Sequence, residues 1–134
     1  MTASDAPYRS RCPINVALEL VGDQWSLLVI RDIMLKGKRH FADFLDSEEK
    51  IASNILSDRL ARLTANGIVQ QERSPDDRRR FVYSLTERGK ALAPVLYELI
   101  LWAAEVAPTA APEAELRQMR ADRDGYLLAM AGKA

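Results

Sequence analysis

The chain has 134 residues, 48% hydrophobic and 28% charged, which suits one packed domain and excludes a disordered polymer. Its 19 basic and 19 acidic residues cancel, so bulk charge alone marks it neither for nucleic acid nor for a membrane surface. A single cysteine and a single histidine exclude a disulfide scaffold and a Cys/His metal centre, and no apolar run approaches the roughly 18 residues that span a bilayer.

In chain order, residues 1–10 read as a flexible polar tail without the hydrophobic run of a signal region, so the chain is expected to act in the cytoplasm with no membrane partner. Residues 11–106 read as the main domain, and residues 107–134 as a C-terminal helix. Pro13 suits a first helical position and Gly22 a stop, predicting a short helix over Pro13–Val21. Asp23 is placed to cap a core helix over Gln24–Leu35, ended by Gly37. A brief third helix follows over His40–Leu45, with Phe41, Phe44 and Leu45 on one side, and then a polar turn over Ser47–Lys50.

The fourth helix is expected from about Ala52 to Asn66. A helix advances about 100° per residue, so Ile51, Ile55, Leu56, Leu60 and Leu63 form one stripe, and Asn54, Ser57, Asp58 and Ala61 lie opposite, with Ser53 at the N-terminal edge. Small and polar side chains on the outer face let a helix sit deep in a groove, which makes Ser53, Asn54, Ser57 and Asp58 candidate base readers. The Asn54 amide matches the paired donor and acceptor of adenine, and the Ser53 and Ser57 hydroxyls suit a base edge or a phosphate. Arg59 falls beside Ile55 and Leu63, so its stem is expected to pack inward and its head to meet a carboxylate or a helix end.

Gly67 ends this helix, and two strands follow, Ile68–Arg73 and Phe81–Leu85, with a possible third edge near Arg39. Between them the turn Ser74–Arg80 carries Arg78, Arg79 and Arg80. Charge is uneven along the chain: Lys38, Arg39 and His40 form one basic group and the turn arginines another, whereas Asp43, Asp46, Glu48 and Glu49 concentrate acid. Lys38, Arg39, His40, Arg62, Arg78, Arg79 and Arg80 are thus candidates for the phosphate backbone. Thr86 then caps a long apolar helix over Glu87–Val106. Pro108–Pro112 breaks this helix, and a last helix runs from Glu113 to about Met130, with Leu116, Met119, Tyr126 and Met130 in a seam that suits either the same chain or a partner.

These pieces resemble the HxlR-type winged helix-turn-helix regulators. The resemblance rests on Cys12-Pro13, on Gly22-Asp23-Gln24-Trp25 and the apolar helix after it, on Phe41-Ala42-Asp43-Phe44, on Leu56-Ser57-Asp58-Arg59-Leu60, on Asn66-Gly67-Ile68-Val69, and on Tyr83-Ser84-Leu85-Thr86-Glu87-Arg88-Gly89. It covers about Arg11 to Trp102. One departure is visible: many members have Ser-Pro where this chain has Ala52-Ser53, which shifts the helix cap and the reading register.

The resemblance implies a mainly α fold with a small β-hairpin, a winged helix-turn-helix with extra C-terminal helices for dimerisation. It implies a homodimer with recognition helices in successive major grooves of a palindromic operator and basic wings on the flanking backbone or minor groove. The long helix carries more apolar surface than one small domain hides, so Leu92, Val95, Leu96, Leu99 and Trp102, with Ile14 and Leu18, are candidate dimer contacts. Several members of the family use the Cys-Pro cysteine to sense oxidants. Cys12, at a helix start near Arg9 and Arg11, is therefore a candidate for an electrophile effector. A small-molecule effector is a further possibility, in a pocket lined by Trp25, Tyr97, Trp102 or Tyr126, and so is a winged domain that binds only protein. No Ser-His-Asp series, glycine-rich phosphate loop or carboxylate pair of recognisable spacing is present, so neither catalysis, a cofactor nor a metal is expected.

Overall fold

A proline that needs no amide partner opens the first helix, α1 (Pro13–Val21), and the Cys12 carbonyl before it accepts from the Val16 amide at 2.9 Å. The computed structural model describes residues 8–133, so most of the tail expected over residues 1–10 lies outside the described residues. Asp23 caps α2 (Ser26–Lys36) as expected, its Oδ1 accepting from the Trp25 and Ser26 amides at 3.0 Å each, although the helix begins at Ser26 and not at Gln24. Gly37, at φ 66°, closes α2 in the left-handed conformation that only glycine adopts freely. The short α3 (Phe41–Leu45) starts where the His40 amide donates to the Asp43 carboxylate at 3.1 Å.

Helix α4 (Ser53–Ala65) buries Leu56, Leu60 and Leu63, the stripe read from its periodicity. The chain then turns through Gly67 into β1 (Val69–Arg73), which pairs antiparallel with β2 (Phe81–Leu85), Val69 opposite Leu85 and Arg73 opposite Phe81. The expected third edge is one hydrogen bond, from the Tyr83 amide to the Arg39 carbonyl at 2.7 Å, and the sheet among the described residues has two strands.

Two long helices of the sequence reading are each divided. The expected Glu87–Val106 helix is α5 (Glu87–Lys90) and α6 (Ala93–Val106), because Pro94 lacks the N–H that would bond to the Lys90 carbonyl and its ring crowds that turn. The expected last helix is α7 (Glu113–Ala121) and α8 (Arg123–Lys133). Asp122 leaves helical geometry and its Oδ1 caps the restart by accepting from the Gly125 amide at 3.1 Å.

One core joins these elements. Ile30, Ile33 and Met34 of α2 are fully buried among Phe44, Leu56 and Leu63, the strand residues Val69 and Leu85, and Leu96 and Tyr97 of α6. Leu116, Met119 and Met130 complete it, and the Tyr97 hydroxyl donates to the Met119 carbonyl at 2.6 Å, so the C-terminal seam closes on its own chain. Gly89 lets α5 press against the start of the hairpin; a Cβ there would lie 2.3 Å from the Ile68 carbonyl oxygen.

Candidate nucleic-acid interface

The turn joining α3 to α4 is held from behind by a polar network that the sequence reading missed. Asp32 of α2 is buried and accepts from the Ser47 hydroxyl and from Arg31 Nε and Nη2, at 3.0 and 2.7 Å for the two nitrogens. The same guanidinium grips both Glu49 oxygens, at 2.7 and 2.9 Å. That bidentate bond is the main reason the Glu49 pKa falls to about 2 and the Arg31 pKa rises. Glu48 and Glu49 are both exposed, but Glu49 is tied to α2 through Arg31. An i-to-distant pairing of this kind leaves no periodic signal in the sequence.

With its back so fixed, α4 turns one side outward. Ser53, Asn54, Ser57, Asp58, Ala61 and Arg62 are all exposed. Arg59 behaves as its wheel position predicts: it is half-buried and its Nε meets Asp23 Oδ1 at 2.9 Å, while Nη1 pairs with Asp58. Asp58 thus stays exposed but carries an arginine on one of its oxygens.

The hairpin tip is ordered by its own backbone. The Ser74 amide donates to the Arg80 carbonyl at 2.8 Å and the Arg80 amide to the Asp77 carbonyl at 2.9 Å. Arg73 braces the tip, donating to the Arg78 carbonyl at 2.8 Å and lying 4.4 Å over the Phe81 ring. Arg79 pairs with Asp77 at 3.2 Å, which lowers the Asp77 pKa. The Arg78 and Arg80 guanidinium groups have no hydrogen-bond or ion-pair partner among the described residues, and all three arginines are exposed.

The other basic group departs from expectation. Arg39 is turned inward, donating to the Ile33 and Lys38 carbonyls at 2.8 and 3.0 Å and to the Lys133 carbonyl at 2.5 Å, so it staples α8 to the core and is not a phosphate ligand. Carbonyls left over at the ends of α2 and α8 draw it in. Lys38 is similarly committed, at 2.9 Å from the Ser47 hydroxyl and 3.7 Å from Asp32. His40 keeps a partly exposed ring whose Nδ1 lies 3.4 Å from Asp43.

Cys12 is exposed at the N-terminus of α1, but Arg9, expected to act on it, pairs with Glu19 at 3.9 Å and Asn15 at 3.2 Å. The candidate dimer residues divide. Ile14, Leu18, Val95, Leu99 and Trp102 are exposed, as is Val106, whereas Leu96 is buried in its own core and Leu92 packs against it. Leu96 is therefore withdrawn from the outer set: α6 carries one inward and one outward apolar face. The four aromatics of the expected effector pocket do not line one site, although the Tyr97 and Tyr126 rings meet at 6.1 Å. Trp25 packs beside α2, Tyr97 is buried, Trp102 is 63% exposed, and Tyr126 lines a groove of about 410 Å³ between α2, α7 and α8. Among the described residues no helix is long and apolar enough to cross a membrane, and no group of His, Cys, Asp and Glu is arranged to hold a metal.

The model for the HxlR-like helix-turn-helix family matches residues 20–111. The HTH-type transcriptional regulator YvaP of Bacillus subtilis is 34% identical over 95 residues, 70% of this chain and 87% of that protein. Among solved structures, the redox regulator HypR in its oxidised form is similar with a TM-score of 0.64 at 28% identity, covering 73% of this chain and all (100%) of that one. The reduced form of the regulator YodB from B. subtilis has a TM-score of 0.59 at 31% identity, over 72% of this chain and 94% of that chain.

Proposed function

The chain belongs to the HxlR-like helix-turn-helix family of transcriptional regulators, which are not enzymes, and we propose that it regulates transcription by binding a palindromic operator as a homodimer. In this reading α4 enters the major groove, with Ser53, Asn54, Ser57 and Asp58 toward base edges, and the wing lies on the flanking backbone or minor groove through Arg78, Arg79 and Arg80, with Arg62 and His40 on phosphates. The observation that carries it is the division of α4: Leu56, Leu60 and Leu63 are buried while Ser53, Asn54 and Ser57 are exposed and small. A helix anchored on one side and slim on the other is what groove entry needs. Electrophoretic shift on the DNA upstream of the chain's own gene tests it, with a sequence-specific complex expected at physiological salt. Equal affinity for every duplex, or none, defeats it.

Two copies fit this reading because the exposed strip of Val95, Leu99, Trp102 and Val106 runs along one side of α6, and Ile14 and Leu18 of α1 are exposed as well, more apolar surface than one small domain leaves in water. Symmetric pairing through that strip would match a two-fold operator. A response to oxidants or electrophiles is a second reading, favoured by the exposed Cys12 thiol and by the redox regulator HypR and the quinone-bound YodB among its structural relatives.

A further inference from the structure

Asp58 is the one acid on α4, and it lies in the middle of the exposed face, one turn after Asn54. A carboxylate there is unfavourable near the phosphates of a duplex, so in the DNA-binding reading its presence on this face needs a compensating contact. It is also not free to swing aside. Its Oδ2 accepts from Arg59 Nη1, the Arg59 side chain is only 22% exposed, and Arg59 Nε is held at 2.9 Å by Asp23, which is itself fixed by the Trp25 and Ser26 amides. A chain of bonds thus runs from the cap of α2 to a carboxylate on the outer face, and Asp58 Oδ1 has no partner among the described residues.

In the major groove guanine and thymine offer acceptors, which repel a carboxylate, whereas cytosine offers the N4 amine as a donor and adenine the N6 amine beside an acceptor. We propose that Asp58 is a specificity-determining residue that selects cytosine at one position of each half-site, and that Arg59 is the positioning residue that holds its carboxylate in reading geometry. This deepens the DNA-binding reading and rests on it. Repulsion at guanine and thymine is the useful part: discrimination comes as much from penalising them as from the bond to cytosine.

Selection from a randomised duplex library with the full chain tests both assignments. The wild type is expected to enrich cytosine in one column of each half-site. Asp58→Ala and Asp58→Asn should lose that preference, by about tenfold against guanine, and leave the remaining columns unchanged. Arg59→Gln should blur the same column alone, and Arg59→Lys should restore it in part; thermal melting of each variant separates loss of reading from loss of fold. An Asp58→Ala profile identical to wild type overturns the specificity role. A uniform loss of affinity across all sequences in Arg59→Gln, with the cytosine column intact, overturns the positioning role. A wild type that selects no sequence instead removes the DNA-binding reading, and this inference with it.

Discussion

Asp23, in the turn before α2, meets Arg59, in the middle of α4, at 2.9 Å between Oδ1 and Nε, and this pair ties the cap of a core helix to the helix whose outer face is free. Burial raises the Asp23 pKa, but the Ser26 hydroxyl, the Trp25 amide and Arg59 outweigh it and hold the group at about 2 instead of its ordinary 3.8. The Arg31–Glu49 pair does the same on the other side of the helix-turn-helix.

Because both carboxylates titrate lower in the folded chain, their stabilisation is complete above the ordinary values of 3.8 and 4.5 and is lost as the pH falls through about 2. Solvent reaches both pairs, so each contributes about 1 kcal/mol. Thermal melts between neutral pH and pH 2 should show the wild type losing stability in that window. Asp23→Asn with Glu49→Gln should start lower and decline less; parallel curves would mean these pairs do not carry the acid sensitivity.

Wing arginines act on phosphates without regard to sequence. Replacing Arg78 and Arg79 together with Ala is expected to weaken binding to all duplexes and to reduce the slope of log affinity against log salt by about 2. Asn54→Ala should instead change which sequences are preferred at nearly constant slope. Fluorescence anisotropy titrations at several salt concentrations distinguish the two, and an Asn54→Ala protein with wild-type preferences clears that residue of a reading role.

The apolar strip predicts a clean dissociation. Leu99→Glu with Trp102→Glu changes side chains that are 43% and 63% exposed, so the fold should survive, yet two buried charges at a symmetric interface should leave a monomer in light scattering. A monomeric wild type, or a variant still dimeric, would refute pairing through α6.

Gly89 predicts a local clash. An alanine Cβ would lie 2.3 Å from the Ile68 carbonyl oxygen, which is backbone and gives little, so Gly89→Ala should cost about 1–3 kcal/mol in chemical denaturation. An unchanged midpoint would show that α5 can lift away from the hairpin.

Cys12 supplies the test of the electrophile reading. Diamide or a quinone should release the wild type from its operator and leave Cys12→Ser bound; equal release from both would place the response elsewhere.

By itself the sequence determined the order of the first four helices, the buried stripe of α4, the hairpin and the inward bend of Arg59, because each follows from spacing along the chain: periods of 3.6 and 2, glycine stops and caps. The Asp23 cap was legible for the same reason, whereas the Arg59 partner was narrowed only to a carboxylate or a helix end. The breaks that divide each of the two later helices were not legible. Only the tertiary structure decided that Arg39 closes on the Lys133 carbonyl 94 residues away, that Lys38 and, through Arg31, Glu49 join a network around the buried Asp32, and that Leu96 faces its own core while Leu99 faces out. A basic residue looks the same in sequence whether it awaits a phosphate or fills the carbonyls at a helix end. Which of the two it does depends on what the fold brings beside it.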